Sequence, residues 1–484
     1  MLTYSFENIG PEPLYIHLYK CIKNDILDSN LQPGTKLPSK RSFAENLGIS
    51  SITVENAYAQ LQAEGFIYSV PKKGFYVTEL PGNIYIKEEK DNIKGEIIKD
   101  NTYIDNGTDC QYEIDLVSNR THPDNFPFSI WAKLMREVIV EKSTALMDKA
   151  PSGGIMELRR TISFHLKQFR NMETEPEQII TGAGTEYLYN LIIQLLGHNK
   201  VYAVENPGYK KVAQIYKSNN VLCEYIPVDN SGIIVEELEK HKADVAHISP
   251  SHHYPTGVVT PVSRRYEILS WASRKEGRYI IEDDYDSEFR LAGRPIPALQ
   301  SIDVMERVIY INTFAKSLAP TIRISYMVLP KSLIGVFYNK LGFYSCTVSN
   351  FEQYTLARFI KDGYFEKHIN RMRNYYRNVH GQLMKEIKKS RLADISVVSE
   401  AGSGLHFLLK VQTDMSDKEY VEICRNNKIN VSCLSEYYFE DEPVSLFNNE
   451  DKQHIIIINY SGIKLEDVGK TVELLWKSLD CSNI

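Results

Sequence analysis

The sequence predicts an α/β protein in which a large domain, built on a mostly parallel sheet with helices on both faces, follows a small N-terminal helical domain. Three observations support this prediction. Between residues 178 and 312, strand-like apolar runs alternate with amphipathic helical stretches. The first 80 residues hold three short helical patterns and two short strand patterns. Residues 81–112, between these two regions, are polar and contain few large apolar side chains.

Length, composition and charge limit the classes of function. The 484 residues exceed a single typical domain. No stretch approaches the ~18 uninterrupted apolar residues of a membrane helix, and residues 1–11 lack a signal-peptide pattern, so we expect a soluble, cytoplasmic protein that does not bind membranes. The seven cysteines are scattered and never spaced as CxxC, which indicates reduced thiols. With a net charge of -6, any contact with nucleic acid has to come from a local basic patch.

The N-terminal region contains the pattern of a helix-turn-helix. Apolar residues recur at helical spacing from Leu14 to Leu27, and Pro33-Gly34 ends this first helix. A second helix begins with Ser39 as its N-cap and stops at Gly48. A third, capped by Ser50 or Ser51, runs towards Gly65. The tight turn between the second and third helices makes the third the predicted recognition helix.

A β-hairpin is predicted to follow the third helix. The strands Phe66–Val70 and Phe75–Val77 flank a turn that carries Lys72 and Lys73, which is typical of a wing. We therefore predict a winged helix-turn-helix over residues 1–80, a linker over 81–112 and an effector domain over 113–484. From their placement, the residues predicted to contact DNA are Ser39, Lys40, Arg41, Ser50, Ser51, Thr53, Lys72 and Lys73.

The larger region alternates strands with helices before its pattern changes. After Lys331 the chain is predicted to be mainly helical to about Leu392, and the strands beyond that point indicate a smaller α+β subdomain. The predicted helices of the alternating part end at Leu196 and cover Tyr209–Ser218. The predicted strands of both parts are Gln178–Thr181, Val201–Val204, Val245–Ser249, Tyr279–Asp283, Val308–Asn312, Ile395–Val398, Leu405–Val411 and Ile455–Asn459.

Polar residues that follow the predicted strands match the needs of pyridoxal phosphate. Ligands of open parallel sheets bind at the carboxyl ends of the strands. This cofactor needs a lysine for a Schiff base, an acid for its pyridine nitrogen and donors for its phosphate. Lys316 is the predicted Schiff-base lysine, Asp283 the partner of the pyridinium nitrogen and Tyr285 the donor to the phenolic oxygen. Tyr209 is placed to stack on the ring. The predicted phosphate ligands are Gly184, Thr185, Thr313 and Arg323.

These segments resemble a known family. The segments "IEDDYDSEFRL", "NTFAKSLAPTIRISYMVLP", "SPSHHYPTGVVTPVSRR" and "ENPGY" resemble the fold-type-I aminotransferase domain of the MocR class of GntR-family regulators. The segment "LQPGTKLPSKRSFAENLGISSITVENAYAQLQAEGFI" resembles the winged helix that precedes it in that class. The resemblance spans nearly the whole chain and implies the same cofactor roles. It also implies a homodimer in which each N-terminal domain reaches across to the partner subunit.

The sequence departs from the family pattern in several places. Residues 147–151 lack the tyrosine that reaches the neighbouring subunit's phosphate, and Ser50-Ser51 stands where Ser-Arg is usual. Residues 455–462 lack the arginine that grips a substrate carboxylate, so Lys211 or Arg120 would have to bind any effector carboxylate. His252-His253 has no further ligand at metal-binding spacing, and no metal site is predicted.

These features lead to one functional hypothesis and two alternatives. The hypothesis is a pyridoxal-phosphate-dependent transcription regulator that binds double-stranded DNA and senses a small amine or amino acid through exchange of the Schiff base at Lys316. The first alternative is a catalytically active aminotransferase with a DNA-binding domain. The second is a regulator that senses pyridoxal phosphate itself.

Overall fold

A computed structural model describes residues 2–6, 12–79, 112–118, 121–291, 297–399, 404–439 and 453–479. The chain divides into two compact units, Met1–Gly107 and Thr108–Ile484. The predicted linker, residues 81–112, lies outside the described residues except for Tyr112. Within the described part, no helix has the length and apolar character needed to cross a membrane.

The first unit is a winged helix-turn-helix, as predicted. Its elements are α1 (Leu14–Leu27), α2 (Lys40–Leu47), α3 (Ser51–Ala63) and the antiparallel hairpin β1 (Ile67–Val70) and β2 (Gly74–Val77). Ser39 caps α2 and Ser50 caps α3, each by accepting a backbone N–H bond, which settles the choice between Ser50 and Ser51. Gly48 ends α2 in the left-handed conformation, with φ 66°. The helices enclose a small core around Leu18, Phe43 and Tyr58.

The second unit contains the remaining elements. Its α-helices are α4 (Phe128–Glu141), α5 (Ser143–Met147), α6 (Met156–Arg170), α7 (Thr185–Leu196), α8 (Lys210–Ser218), α9 (Val235–Lys240), α10 (Val262–Ser273), α11 (Phe314–Ser317), α12 (Lys331–Leu341), α13 (Asn350–Lys361), α14 (Tyr364–Lys389), α15 (Leu392–Ile395), α16 (Asp417–Asn426) and α17 (Val468–Lys477). Its strands are β3 (Ile114–Asp115), β4 (Ile179–Ala183), β5 (Val201–Asn206), β6 (Leu222–Asp229), β7 (Gly232–Ile233), β8 (Val245–Ile248), β9 (Tyr279–Asp283), β10 (Val308–Thr313), β11 (Ile324–Val328), β12 (Ser396–Ser399), β13 (His406–Gln412), β14 (Ile429–Asn430), β15 (Ser432–Cys433) and β16 (Gln453–Asn459).

The main sheet has eight strands in the order β4-β11-β10-β9-β8-β5-β6-β7. Strands β10, β9, β8, β5 and β6 run parallel, and β4 has the same direction because the antiparallel β11 lies between it and β10. The predicted parallel-rich sheet is therefore confirmed. Strands β6 and β11 were not predicted from the sequence. The reversed strand β11 matters for the site because its first residue, Ile324, follows Arg323 at the carboxyl ends of the parallel strands.

Helices cover both faces of this sheet. In β9, Ile280 packs into the apolar cluster that contains Ile268 and Trp271 of α10. Ile281, one residue later, packs into the opposite cluster with Leu188 and Ile192 of α7. This alternation buries both faces of the strand, as expected for the parallel strands of an α/β fold.

A smaller α+β subdomain completes the second unit, as predicted. Its antiparallel sheet has the order β12-β13-β16-β15. Strands β13 and β16 pair from His406 opposite Asn459 to Gln412 opposite Gln453. The last residue of β16, Asn459, lines a pocket at the carboxyl ends of the parallel strands of the main sheet.

Candidate functional site

A pocket of about 520 Å³ lies at the carboxyl ends of the parallel strands. In such sheets this end collects the residues that follow each strand, which is why side chains distant in sequence meet there. All the residues predicted to hold the cofactor line this pocket: Lys316, Asp283, Tyr285, Tyr209, Gly184, Thr185, Thr313 and Arg323.

Lys316 enters the pocket from the short helix α11. Thr313 caps this helix, since its Oγ1 accepts a 3.2 Å bond from the Ala315 N–H. The Lys316 Nζ lies 5.7 Å from the centroid of the Tyr285 ring. Burial lowers the pKa of Lys316 to about 8, against the opposing effect of Asp286 and Asp283. A larger fraction of this amine is therefore neutral at neutral pH than for an exposed lysine, and the neutral amine is the nucleophile.

One end of the pocket, which we call the ring end, consists of Asp283, Tyr189 and His247. The Tyr189 hydroxyl donates a 2.6 Å hydrogen bond to Asp283 Oδ2, and His247 Nε2 lies 3.6 Å from the same oxygen. The other carboxylate oxygen, Oδ1, is buried and has no hydrogen-bond partner among the described residues. A buried acceptor without a partner fits a ligand that brings a donor, such as a protonated ring nitrogen.

A second part of the pocket, which we call the phosphate end, consists of Gly184, Thr185, Glu186 and Arg323. Gly184 has φ 92°, and a Cβ there would lie 2.7 Å from Arg323 Nη2, so a side chain at this position would displace the guanidinium. Thr185 begins helix α7, whose first N–H groups are free to bind an anion. The phosphate end thus offers a helix N-terminus and an arginine together.

A carboxylate already pairs with that arginine. Arg323 Nη2 donates a 2.9 Å bond to Glu186 Oε2, and the Lys211 ammonium contacts the other oxygen of the same carboxylate. These contacts, with that of Lys211 the largest, lower the pKa of Glu186. Lys211, predicted to bind an effector, is therefore an exposed residue paired with Glu186. The second predicted effector residue, Arg120, lies outside the described residues.

Several pocket residues were not found from the sequence. Tyr189 lies one helical turn after Thr185 on α7, and the i, i+4 spacing was the signal that could have placed it beside the pocket. Glu205, at the end of β5, is buried, and burial raises its pKa to about 8. Asn459 lies in the segment where the family resemblance led us to look for a carboxylate-binding arginine.

A buried group beside the pocket was also missed. His252, Asp286 and His406, which we call the histidine cluster, have ligand-type atoms within 4.8 Å of one another. They come from the loop after β8, the loop after β9 and the start of β13. Asp286 and His406 are too far from His252 in sequence to be found from ligand spacing. The prediction that the chain holds no metal stays a prediction.

In the first unit, the residues predicted to contact DNA differ in their exposure and in whether they already pair with another side chain. Arg41, Lys72 and Lys73 are exposed. Lys40 pairs with Glu55 at 2.7 Å. Of the others, Ser51 and the capping side chains Ser39 and Ser50 are exposed, and the Thr53 hydroxyl lies 2.8 Å from Ser50 Oγ. Arg41, Lys72 and Lys73 are therefore accessible for the predicted contacts with DNA phosphates.

Comparisons with known proteins agree with both units. Residues 14–77 match the model of bacterial regulatory proteins of the gntR family, and residues 113–446 match that of aminotransferase class I and II. The chain is 34% identical to the uncharacterized HTH-type transcriptional regulator YdeL of Bacillus subtilis, over 96% of this chain and 97% of that protein. It is 28% identical to the probable rhizopine catabolism regulatory protein MocR of Rhizobium meliloti, over 93% and 90%. The structure of a multiple substrate aminotransferase from Thermococcus profundus matches with a TM-score of 0.65 and 22% identity, over 76% of this chain and 91% of that one, which shows the fold alone.

Proposed function

Because the chain belongs to the MocR-type transcription regulators, with a gntR helix-turn-helix joined to an aminotransferase class I and II domain, we propose that it binds pyridoxal phosphate at Lys316 and senses a small amine or amino acid there. The observation that carries the proposal is the meeting of Lys316, Asp283 and Arg323 in one pocket. When bound, pyridoxal phosphate supplies a carbonyl that condenses with an amine and a ring that withdraws electrons from the attached carbon.

Different residues of the pocket would bind different parts of this cofactor. Asp283 Oδ1 accepts from the ring nitrogen, since it has no other partner among the described residues. The N-terminus of α7 and Arg323 would bind the phosphate. Tyr209 covers the ring; its side chain lines the pocket with its ring centroid 6.1 Å from that of Tyr254. Lys316 would supply the amine that holds the cofactor, and an effector amine would compete with it for the same carbonyl.

The output of the protein is DNA binding by the first unit. Regulators with a gntR helix-turn-helix bind DNA, and in this chain we assign the contacts to α3 and the hairpin, with Arg41, Lys72 and Lys73 as phosphate ligands. We further propose a homodimer. Exposed apolar side chains on α4 and at the end of α5, Phe128, Val140 and Met147, support a subunit interface on the second unit.

Turnover as an aminotransferase is the rival function. The pocket holds a lysine and an acid suited to it, but the carboxylate-binding arginine is missing from residues 455–462, and Asn459 lies in the pocket wall instead. We therefore place sensing ahead of catalysis. Steady formation of a keto acid over many turnovers would reverse that order.

The test measures DNA affinity by fluorescence anisotropy, with DNA from upstream of the gene and a panel of amines. For the cofactor-loaded protein, we expect one amine to change the Kd by roughly 5- to 150-fold, the range of ordinary allosteric coupling. Lys316→Ala should bind DNA and lose this response, whereas the surface control Lys331→Ala should keep it. A response to pyridoxal phosphate alone would favour a sensor of the cofactor. A Lys316→Ala protein that still responds to the amine would refute the proposal.

A further inference from the structure

The histidine cluster lies directly behind Tyr285. His252, Asp286 and His406 are 3%, 4% and 7% exposed, so their polar atoms have to find partners within the protein. None of them lines the pocket itself, and the roles proposed above do not use them. Asp286 and His406 contact His252, and His252 in turn contacts Tyr285.

Asp286 fixes the tautomer of His252. Asp286 Oδ2 lies 2.7 Å from His252 Nδ1. A carboxylate oxygen is an acceptor, so the proton of this bond has to be carried by Nδ1. The short distance and the burial of both side chains make this the dominant contact of the imidazole.

The same nitrogen reaches the phenol of Tyr285. Tyr285 Oη lies 3.2 Å from His252 Nδ1. Because Nδ1 already carries a proton, it has no lone pair with which to accept from the phenol, and Tyr285 Oη has to accept the second branch of the bond. Tyr285 therefore keeps its own proton for another acceptor. Burial raises the pKa of Tyr285 well above its usual value, so the phenol stays protonated.

The packing around His252 leaves it little freedom. Gly404 has φ 74°, and a Cβ there would lie 2.0 Å from His252 Cε1 and 2.5 Å from Asp286 Oδ2. His406 packs on the other side, with its ring centroid 4.6 Å from that of His252. His406 Nε2 lies 3.1 Å from the carbonyl oxygen of Pro255 and donates to it, and burial lowers the pKa of His406 well below its usual value, so this ring is neutral.

We propose that His252, oriented by Asp286, is a positioning residue for Tyr285. His252 holds the Tyr285 hydroxyl so that its proton points into the pocket, towards the phenolic oxygen of the cofactor. The inference rests on the proposed function, because it concerns the same site. His252 and Asp286 are buried and do not line the pocket, yet they would affect the pH at which the bound cofactor loses its proton. Tyr285 would contact the cofactor directly, whereas His252 would act only through Tyr285.

The readout is the pH midpoint at which the visible band of the cofactor-loaded protein changes. A donor held on the phenolic oxygen favours the deprotonated form of the cofactor and lowers this midpoint. Loss of the His252 bond should therefore raise it. The titratable and charged groups that face Tyr285 or Lys316 are Asp283, Asp286, Glu205, Tyr254 and His406, and the His252 variants leave all of them in place.

The central variants are His252→Leu, which fills the space without a donor, and His252→Asn, whose amide N–H restores a donor near the position of Nδ1. We expect the first to raise the midpoint by roughly half to one pH unit, the size of one net hydrogen bond, and the second to recover most of that shift. His406→Gln is the matched control: it keeps a donor for Pro255 and should leave the midpoint unchanged. Dialysis against EDTA should also change nothing; a midpoint that follows EDTA would overturn the assignment in favour of a metal site.

Two further variants keep the test decisive. If His252→Leu does not fold by circular dichroism, Asp286→Asn, whose amide can donate to His252 Nδ1 and so no longer fixes the proton on that nitrogen, should raise the midpoint in the same direction. In a Tyr285→Phe background, His252→Leu should add no shift, because its effect passes through the phenol. A wild-type band with an unshifted His252→Leu or Asp286→Asn would overturn this inference alone. Absence of any band in the wild type would overturn the proposed function and this inference with it.

Discussion

The ring end and the phosphate end of the pocket hold their charges in different surroundings. At the ring end, the side chains of His247 and Asp283 are 5% and 13% exposed. At the phosphate end, those of Arg323 and Glu186 are 53% and 36% exposed. Water screens the exposed pair, and such pairs typically contribute about 0–1 kcal/mol, whereas losing one partner of a buried pair has a much larger effect. The two ends should therefore respond unequally to single substitutions.

The largest effect is expected at the ring end. Asp283→Asn removes the charge that would face the protonated ring nitrogen, and loss of one partner of a buried charged pair costs about 2–5 kcal/mol. The Kd for pyridoxal phosphate should rise by roughly 30-fold or more, measured by absorbance titration of the apo-protein. Tyr189→Phe, which keeps the carboxylate and removes the 2.6 Å bond that the Tyr189 hydroxyl donates to it, should cause a smaller rise and serves as the control. Equal affinity of Asp283→Asn and wild type would break the distinction between the two ends.

The next effect concerns the pH at which Lys316 captures the cofactor. Burial lowers the pKa of Lys316 to about 8, and only the neutral amine attacks the carbonyl. The rate of capture, followed by stopped-flow absorbance, should rise about tenfold per pH unit below pH 8 and level off above it. A rate that keeps rising to pH 10 would mean that Lys316 titrates like an exposed lysine and that its surroundings do not lower its pKa.

A smaller effect is expected from the arginine at the phosphate end. Arg323→Ala removes bonds to a charged ligand, but at an exposed site, so the Kd for pyridoxal phosphate should rise by only about tenfold. Pyridoxal, which lacks the phosphate, should bind the variant and the wild type alike. If both ligands lose affinity equally, Arg323 supports the fold of the pocket and does not select the phosphate.

The smallest effect, and one of opposite sign, is expected from Glu186. Its carboxylate pairs with Arg323 and Lys211 at the position where an anionic ligand is expected. Glu186→Gln keeps the shape and removes the competing charge, so pyridoxal phosphate should bind roughly two- to fivefold more tightly, with pyridoxal unaffected. Weaker binding of the phosphate ester would mean that Glu186 orients Arg323 and does not compete with the ligand.

Local patterns in the sequence predicted most of the fold. The strand predicted over Tyr279–Asp283 and the helix predicted over Leu14–Leu27 match the observed bounds. Both have an unmistakable pattern, an apolar run bounded by charges in one and helical spacing in the other. Strand β11 (Ile324–Val328) was missed because only the short segment 314–323 separates it from β10 and the chain reverses its direction there, which no periodicity records.

The residues of the candidate site were predictable where they lie next to the end of a predicted strand. Lys316, Asp283 and Arg323 each stand next to a strand end, and the topology of an α/β sheet brings such ends together. The histidine cluster was not predictable in this way, because Asp286 lies 34 residues from His252 and the two meet only through the folded loops. The pairing of Lys211 with Glu186 was missed for a related reason: helical spacing places residues on a face but does not say which neighbouring element presents a countercharge.

The most direct test of the central claim is the absorbance spectrum of the purified protein between about 300 and 500 nm after addition of pyridoxal phosphate, compared with that of Lys316→Ala. The wild type should develop a band that persists through dialysis, while the variant should release the cofactor and lose the band. No band in the wild type, or an equally persistent band in Lys316→Ala, would contradict the claim that this regulator holds pyridoxal phosphate through Lys316.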